Sequence, residues 1–366
     1  MRVLQLCPLW HPIACDAHGG IETFLARLTP HLRRLGCEVT LLAAGDSDPD
    51  LPVIPATPRS VCKEMVAGLA SEYAYYEQHL LRLALHQMGG YDVVHSHVGP
   101  SAYVLSALPG AADRVLHTQH TPVLQDLQTF LRLHPHTWIS TVSEFQAQKL
   151  WSAGARRCRA IHNGIDFSTF DVNDSPGDSL VFVGRMESVK GADAAIRVAR
   201  QLNRPLTLAG PIVDSQYFAR EVRPFLDDRV RYVGVVDHEQ KRTLFGRAAC
   251  TLLPFRGEEP FGLVSLESMA CGTPVVALGN GALPEVVEVG VTGYLARTED
   301  GLAALVRKAQ ALDRTRVRDR AASRFDLATT AERYLHLYRE MIGQRTRSVG
   351  APAAANEGTV VVRSPS

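Results

Sequence analysis

The chain contains no apolar run approaching the roughly 18 to 20 residues that a membrane span requires, so no segment reads as transmembrane. It also carries almost no net charge: 39 Lys and Arg stand against 38 Asp and Glu, a formal balance of +1. A surface for nucleic acid or anionic lipid needs a basic excess, and none is supplied. The seven cysteines are scattered and form no C-x-x-C pair, which fits reduced thiols in a cytoplasm. Met1 to Pro8 is too short in its apolar part for a secretory signal and lacks a small-residue cleavage site, so it reads as a first strand. What is present is ordinary for a globular protein, with 46% hydrophobic and 21% charged residues. At 366 residues a single core no longer grows with length, and two domains with a cleft between them are expected.

The most informative stretch is Gly257 to Val276. Apolar runs of strand character, Cys250 to Pro254 and Pro274 to Leu278, bracket it, so its middle is a crossover helix of a parallel α/β unit. In such a sheet the loop after a strand's carboxyl end borders the ligand crevice. The helix that follows points its unpaired N–H groups there, which favours an anion. Glu259 lies in the loop and Glu267 roughly a turn and a half into the helix. Carboxylates beside a phosphate are repelled by it, so these two are placed to accept hydrogen bonds from hydroxyls on either side. Hydroxyls, a diphosphate and more hydroxyls describe a nucleotide-sugar.

Glu259, Phe261-Gly262-Leu263, Leu266-Glu267, Met269-Ala270-Cys271-Gly272 and Pro274-Val275-Val276 resemble the E-x7-E signature of the family 4 retaining glycosyltransferases. That family has the GT-B fold, an α/β architecture of two doubly wound Rossmann-like domains facing each other across a cleft. The resemblance implies that Glu259 meets the donor sugar's hydroxyls and Glu267 the nucleoside ribose. It also implies that the backbone around Phe261 and Gly262 lies against the sugar and that of Leu263 and Val264 against the phosphate. Gly184-Arg185 and Lys190-Gly191 are similar to the family's G-R-x4-K-G run. By their own chemistry, Arg185 and Lys190 leave a loop at a strand's carboxyl end, where two fixed cations can neutralise a diphosphate and its developing charge on departure.

In the first half, Val3 to Cys7 reads as a strand, and His18-Gly19-Gly20 ends the loop after it. A helical pattern then begins at Ile21, with Pro30 set to kink or divide it. Glycines before a first helix let backbone N–H groups approach a ligand, and the family places such a pair against the donor phosphates, which makes Gly19 and Gly20 donor-site candidates. Asp46, Asp48 and Asp50 could suggest a cation site, but their Pro- and Gly-containing context favours turn chemistry. Ser60 to Gln87 reads as helical, and its Tyr73, Tyr75 and Tyr76 either pack between helices or line an acceptor pocket. His95, His97, His117 and His120 lie at two strand ends and raise the alternative of a zinc-dependent hydrolase, although their spacings form no recognised ligand set and no H-E-x-x-H occurs. Under the resemblance, His120 is the catalytic-site histidine near the sugar's primary hydroxyl, with His117 as the competing candidate and His97 a weaker one. The run His117 to Thr121 looks most like the branch containing the mycothiol and sucrose-phosphate synthases.

Asn163-Gly164-Ile165-Asp166 resembles the family's N-G-I-D turn, read as an Asn-Gly turn with positive φ that supports a hinge. Gly279 to Glu285 lacks the third glycine of a dinucleotide fingerprint and instead resembles the family's G-x-P-E segment. The organisation expected is an acceptor-side domain over 1–170, a nucleotide-sugar-binding domain over 171–325, a helix crossing back over 326–343 and a disordered tail over 344–366.

The function expected is retaining hexosyl transfer from a nucleoside-diphosphate-sugar, with a UDP-sugar favoured, to a hydroxyl of a soluble small-molecule, natural-product or glycan acceptor. Arg185, Lys190, Glu259 and His120 form the expected catalytic set, with no cofactor and no essential metal. A GT-B sugar-nucleotide epimerase and a non-catalytic nucleotide-sugar-binding subunit are the alternatives. The acceptor residues are unassigned, the absence of a basic amphipathic helix favours a soluble acceptor, and the expected state is a cytoplasmic monomer or homodimer.

Overall fold

The computed structural model describes residues 1–17, 19–173 and 176–350, the last four as backbone only. His18, Asp174, Ser175 and residues 351–366 of the expected tail lie outside the described residues.

Two parallel sheets form the structure. The first contains β1 (Arg2–Leu6), β2 (Glu38–Ala44), β3 (Val53–Thr57), β4 (Val93–Ser96), β5 (Val115–Gln119), β6 (Trp138–Thr141) and β7 (Cys158–Ala160), in the order β3-β2-β1-β4-β5-β6-β7. The second contains β8 (Leu180–Val183), β9 (Leu206–Ala209), β10 (Val230–Tyr232), β11 (Cys250–Leu253), β12 (Val275–Leu278) and β13 (Gly293–Ala296), in the order β10-β9-β8-β11-β12-β13. Helices cover both faces, so the strands are short apolar runs buried along their length: every residue of β8, β11 and β12 is buried. The strand order reverses between β1 and β4 and again between β8 and β11. Those reversals open a crevice beyond the carboxyl ends of each sheet, where ligands bind in folds of this type.

Several expectations are corrected in detail. The first helix, Gly20–Arg34, runs undivided through Pro30, because the ring removes one donor while Phe24, Leu25, Leu28 and Leu32 stay packed in the core. The helical stretch from Ser60 divides into Val61–Val66 and Tyr73–Gln87 around Gly68 at φ +72°. Asp46 is a structural group: it accepts from the Ser60 amide (2.8 Å) and pairs with Lys63 (2.8 Å). The last helix extends from Leu327 to Gly350, past the expected stop at 343. Gly343, where an added Cβ would meet nothing within 4 Å, does not break it, and Arg345 ties the extension to the Asp92 carbonyl at 2.9 Å.

Gly164 is also not the positive-φ turn residue expected. A Cβ there would lie 2.6 Å from Thr330 Oγ1 and 2.8 Å from Leu327 Cα. The glycine is needed because two chain segments touch at this point: Ile165 N donates to the Phe325 carbonyl (3.1 Å) and Leu327 N to the Ile165 carbonyl (3.0 Å). Here the chain leaves the first sheet, and here it returns to begin the last helix, which packs on Gly20–Arg34.

Beneath that helix lies a polar layer containing His95, His97 and, at its edge, His120, with His117 buried nearby against Tyr103 at 4.4 Å and Ser106 at 2.8 Å. Burial pushes the His120 pKa down to about 4 and that of His117 to about 3. His95 and His97 are lowered well below the ordinary range, by burial first and by neighbouring histidines second.

Gly164→Ala is expected to lower the melting temperature by about 2–10 °C, the result of about 1–3 kcal/mol of overpacking; an unchanged midpoint by calorimetry would contradict the close-approach reading. The histidine layer predicts a pH dependence. An unfolded histidine binds its proton near pH 6.5 whereas these folded ones do not, so their contribution to stability is complete above about 6.5 and is lost as pH falls toward about 4, at about 1.4 kcal/mol per pH unit for each ring. Melting temperatures that are equal at about pH 7.5 and about pH 5 would refute this.

Candidate active site

The loops after β8 and β11 are locked together by glycines. A Cβ on Gly191 (φ +72°) would lie 2.4 Å from the Pro254 carbonyl oxygen, and one on Gly257 would lie 2.4 Å from Val189 Cγ2. Arg256 N completes the contact by donating to the Val189 carbonyl at 2.8 Å. This approach sets Lys190 Nζ 2.5 Å from Glu259 Oε2, with both side chains largely buried, and places the ammonium 4.3 Å above the Phe255 ring. From the other side the Glu259 backbone is held by Gly281, whose Cβ would fall 2.4 Å from Glu259 N, and by Ala282 N donating to the Glu259 carbonyl at 2.9 Å.

Gly262 takes φ +90° as the N-cap of the helix Leu263–Ala270, with no side chain capping it. Gly19 is the N-cap of Gly20–Arg34, again with no side-chain cap. The two helix starts converge: a Cβ on Gly20 would be 3.7 Å from Leu263 Cδ1. Two glycine-capped helix N-termini at one place form an anion-binding geometry, although at the first the buried Glu22 carboxylate already accepts from its own amide and from that of His11. Further into the second helix, Glu267 is paired with Lys241, which the helix His238–Arg247 presents after an Asp237–Gln240 capping box.

These groups line one cleft of about 990 Å³ that includes Gly20, His120, Arg185, Lys190, Glu259, Gly262, Leu263, Val264 and Glu267. Gly19 lines a smaller adjoining pocket with Gly20, Leu263 and Glu267. Phe261 differs, being 2% exposed and packed 5.8 Å from both His162 and Phe325, so only its backbone is available to a ligand. Arg185 is largely exposed and pairs with Glu187 at 2.7 Å. Of the histidines, His120 reaches the cleft, whereas His117 lies behind the wall and His97 stands one hydrogen bond (2.9 Å) behind His120. Among the described residues no group of three or more His, Cys, Asp or Glu is placed to hold a metal.

The sequence reading missed Lys241, and on the opposite wall Trp10, His11, Asp16 and Arg27. Trp10 is 39% exposed and is backed edge-on by Tyr73 at 5.5 Å, whose hydroxyl accepts from Leu9 N. Thus Tyr73 supports a cleft residue, Tyr76 packs in the core and Tyr75 faces outward. The capping box one turn before Lys241 was the available signal; nothing local marks Trp10.

Glu285 braces the two halves. It accepts from the amides of Glu144 (2.8 Å) and Phe145 (2.5 Å), at the start of the helix Glu144–Ser152, and from His162 Nε2 (2.8 Å). Burial alone would raise its pKa, and these hydrogen bonds outweigh burial and hold the carboxyl below the usual range.

Residues 177–313 match the family described as glycosyl transferases group 1, and residues 18–169 match glycosyltransferase family 4. The D-inositol 3-phosphate glycosyltransferase of Mycobacterium tuberculosis is 30% identical across 94% of this chain and 83% of that protein. Among solved structures, sucrose-phosphate synthase from Thermosynechococcus elongatus superposes with a TM-score of 0.74 at 22% identity, covering 94% of this chain and all of that one (100%). Anabaena HepE in complex with UDP and glucose gives 0.71 at 20% identity, covering 93% and 100% of the two chains. Among the described residues no helix is long and apolar enough to cross a membrane. With both halves of the chain matched in order and the two facing sheets of the GT-B architecture present, this protein belongs to the family 4, group 1 glycosyltransferases.

Proposed function

We propose that the protein transfers a hexosyl group from a nucleoside-diphosphate-sugar, favouring a UDP-sugar, to a hydroxyl of a soluble small-molecule, natural-product or glycan acceptor, with retention and without an essential metal. The observation that carries this reading is the convergence of two glycine-capped helix starts with the Lys190–Glu259 pair in one cleft. An anion site framed by a cation and a carboxylate matches a diphosphate joined to a sugar. HepE, of the same fold, has been crystallised with UDP-glucose, which supports the choice of base.

In this reading the diphosphate lies at the N-termini of Gly20–Arg34 and Leu263–Ala270, against Arg185 and Lys190. The sugar lies along Phe261-Gly262 between Glu259 and His120. Glu267 takes the ribose hydroxyls, and the base lies toward Pro211, Val213 and Val235, which line the same cleft. Without donor, Lys190 and Glu259 compensate each other's buried charge. With donor bound, the lysine turns to phosphate and the carboxylate to sugar hydroxyls, so neither is left unpaired. The acceptor enters along Trp10 and His11.

The reaction breaks the bond from the anomeric carbon to the phosphate oxygen and forms one to the acceptor oxygen on the same face. The acceptor proton passes to the departing phosphate. Arg185 and Lys190 stabilise the charge this group gains, an interaction stronger in the transition state than in the ground state. His120, with its pKa held near about 4 by burial, is neutral at the sugar and adds no charge there.

Lys190→Ala is expected to lower kcat/KM by about 10²–10³, and Arg185→Ala, at a more exposed site, by about tenfold or more. Losses below about tenfold in both would remove the leaving-group role. The direct test is mass-resolved turnover of a panel of nucleotide-sugars with a cell extract as acceptor source, beside matched Glu259→Ala samples. Transfer of a hexose mass with release of nucleoside diphosphate, lost in the variant, is the expected result. Binding without turnover, or free epimerised sugar with no acceptor product, would overturn it.

A further inference from the structure

Behind His120 runs an unbroken chain of hydrogen bonds. His120 Nε2 lies 2.9 Å from His97 Nδ1, and His97 Nε2 lies 2.5 Å from Gln5 Oε1. Gln5 Nε2 donates to Tyr338 Oη at 3.2 Å, and that hydroxyl lies 2.7 Å from His95 Nδ1. His95 Nε2 lies 2.6 Å from Thr118 Oγ1, which is 2.5 Å from Ser140 Oγ. Gln5, His95, His97, Thr118, Ser140 and Tyr338 are all buried, so each must satisfy its polar atoms within the chain.

With Oε1 of the Gln5 amide toward His97 and Nε2 toward Tyr338, the chain takes one direction. Gln5 Oε1 only accepts, so His97 Nε2 carries the proton and donates. A neutral imidazole has one N–H, so His97 Nδ1 accepts, and His120 Nε2 is the donor. His120 therefore holds its proton on Nε2 and has its lone pair on Nδ1. Tyr338 couples the amide to the rest of the network: its hydroxyl can pair with either end of the amide, but only together with the matching role toward His95. Tyr338 accepts from Gln5 and passes its proton to His95 Nδ1, so that His95 Nε2 donates to Thr118. Reversing the amide would reverse every bond and place the His120 proton on the other nitrogen. All these rings are neutral through burial, which keeps a tautomer, rather than a charge, as the variable.

We propose that Tyr338 and Gln5 are positioning residues that, through His97, set the tautomer of the cleft histidine His120. Tyr338 lies on the helix Leu327–Gly350, which starts at the crossing between the two halves. The segment that returns from the donor-side domain thus determines which hydrogen-bonding character the acceptor-side wall presents to the sugar. The kinetic consequence rests on the donor site proposed above; the tautomer assignment does not.

The test is ¹⁵N NMR of the imidazole nitrogens in the ligand-free protein. Long-range couplings distinguish an N–H nitrogen from a lone-pair nitrogen in each ring. Wild type is expected to show His97 and His120 each as a single Nε2–H tautomer. Tyr338→Phe uncouples the amide from the rest of the network and should leave His120 as a mixture or inverted, whereas Thr330→Val, which removes a buried hydroxyl of the same helix that bonds the His162 carbonyl instead, should leave it unchanged. With UDP-glucose as donor, Tyr338→Phe should lower kcat by about tenfold or more while leaving UDP affinity within about twofold. Mixed or Nδ1–H tautomers in wild type would overturn the proposal, whether or not the variant folds. An unchanged His120 tautomer in Tyr338→Phe would also overturn it. Correct tautomers in a protein inert toward every nucleotide-sugar would instead count against the proposed transfer reaction.

Discussion

The structure depends on one crossing. Residues 164–166 and 325–327 pass each other with two backbone hydrogen bonds and a glycine too close to its neighbours to carry a side chain. Each sheet is an independent α/β layer, and its strand reversal creates a crevice with a single wall. Only a fixed relation between the two turns those crevices into one cleft. The crossing ties the halves at the point where the chain passes between them, and the last helix anchors the return by burying Leu327, Ala331, Tyr334, Tyr338 and Met341 in the first half's core. Glu285 adds a second tie from the second half to the start of Glu144–Ser152.

Within the cleft, charge is arranged in compensated pairs. Lys190 with Glu259 and Lys241 with Glu267 are each carboxylate and ammonium within contact in partly buried surroundings. An isolated charge there would be costly, and a pair gives each member a partner until a ligand supplies another. Two glutamates can therefore stand close together in one cleft, because each carboxylate comes with its own cation. The opposite wall is built differently, with Trp10 and His120 backed by aromatic and imidazole neighbours.

Much of the cleft wall built by the second sheet could be read along the chain because its parts are local. Arg185 and Lys190 leave one strand, Glu259 and Glu267 straddle one loop and helix start, and the strands around them are continuous apolar runs. Strand, loop and helix contain their own spacing, so residue type and interval carry the information. The wall built by the first sheet was legible only as a pattern of elements. Which of His117 and His120 faced the cleft depended on how β5 ends against the segment Pro100–Ala107, and Tyr73 was found to support Trp10 rather than line the pocket. The positive φ expected at Gly164 was wrong because the reason for that glycine lies about 160 residues away in sequence, at Leu327 and Thr330.

By itself, the sequence determined the α/β class, the strand and helix runs of both sheets and the local spacing of Arg185, Lys190, Glu259 and Glu267, since hydrophobic period, turn residues and charged spacings act over a few residues. Tertiary structure alone decided the pairing of Lys190 with Glu259 and of Lys241 with Glu267, the convergence of the two helix starts, the end of the last helix and the polar chain from Tyr338 to His120. Those features need side chains from distant segments at distances of about 3 Å. Short-range pattern cannot specify such distances; packing around the crossing does.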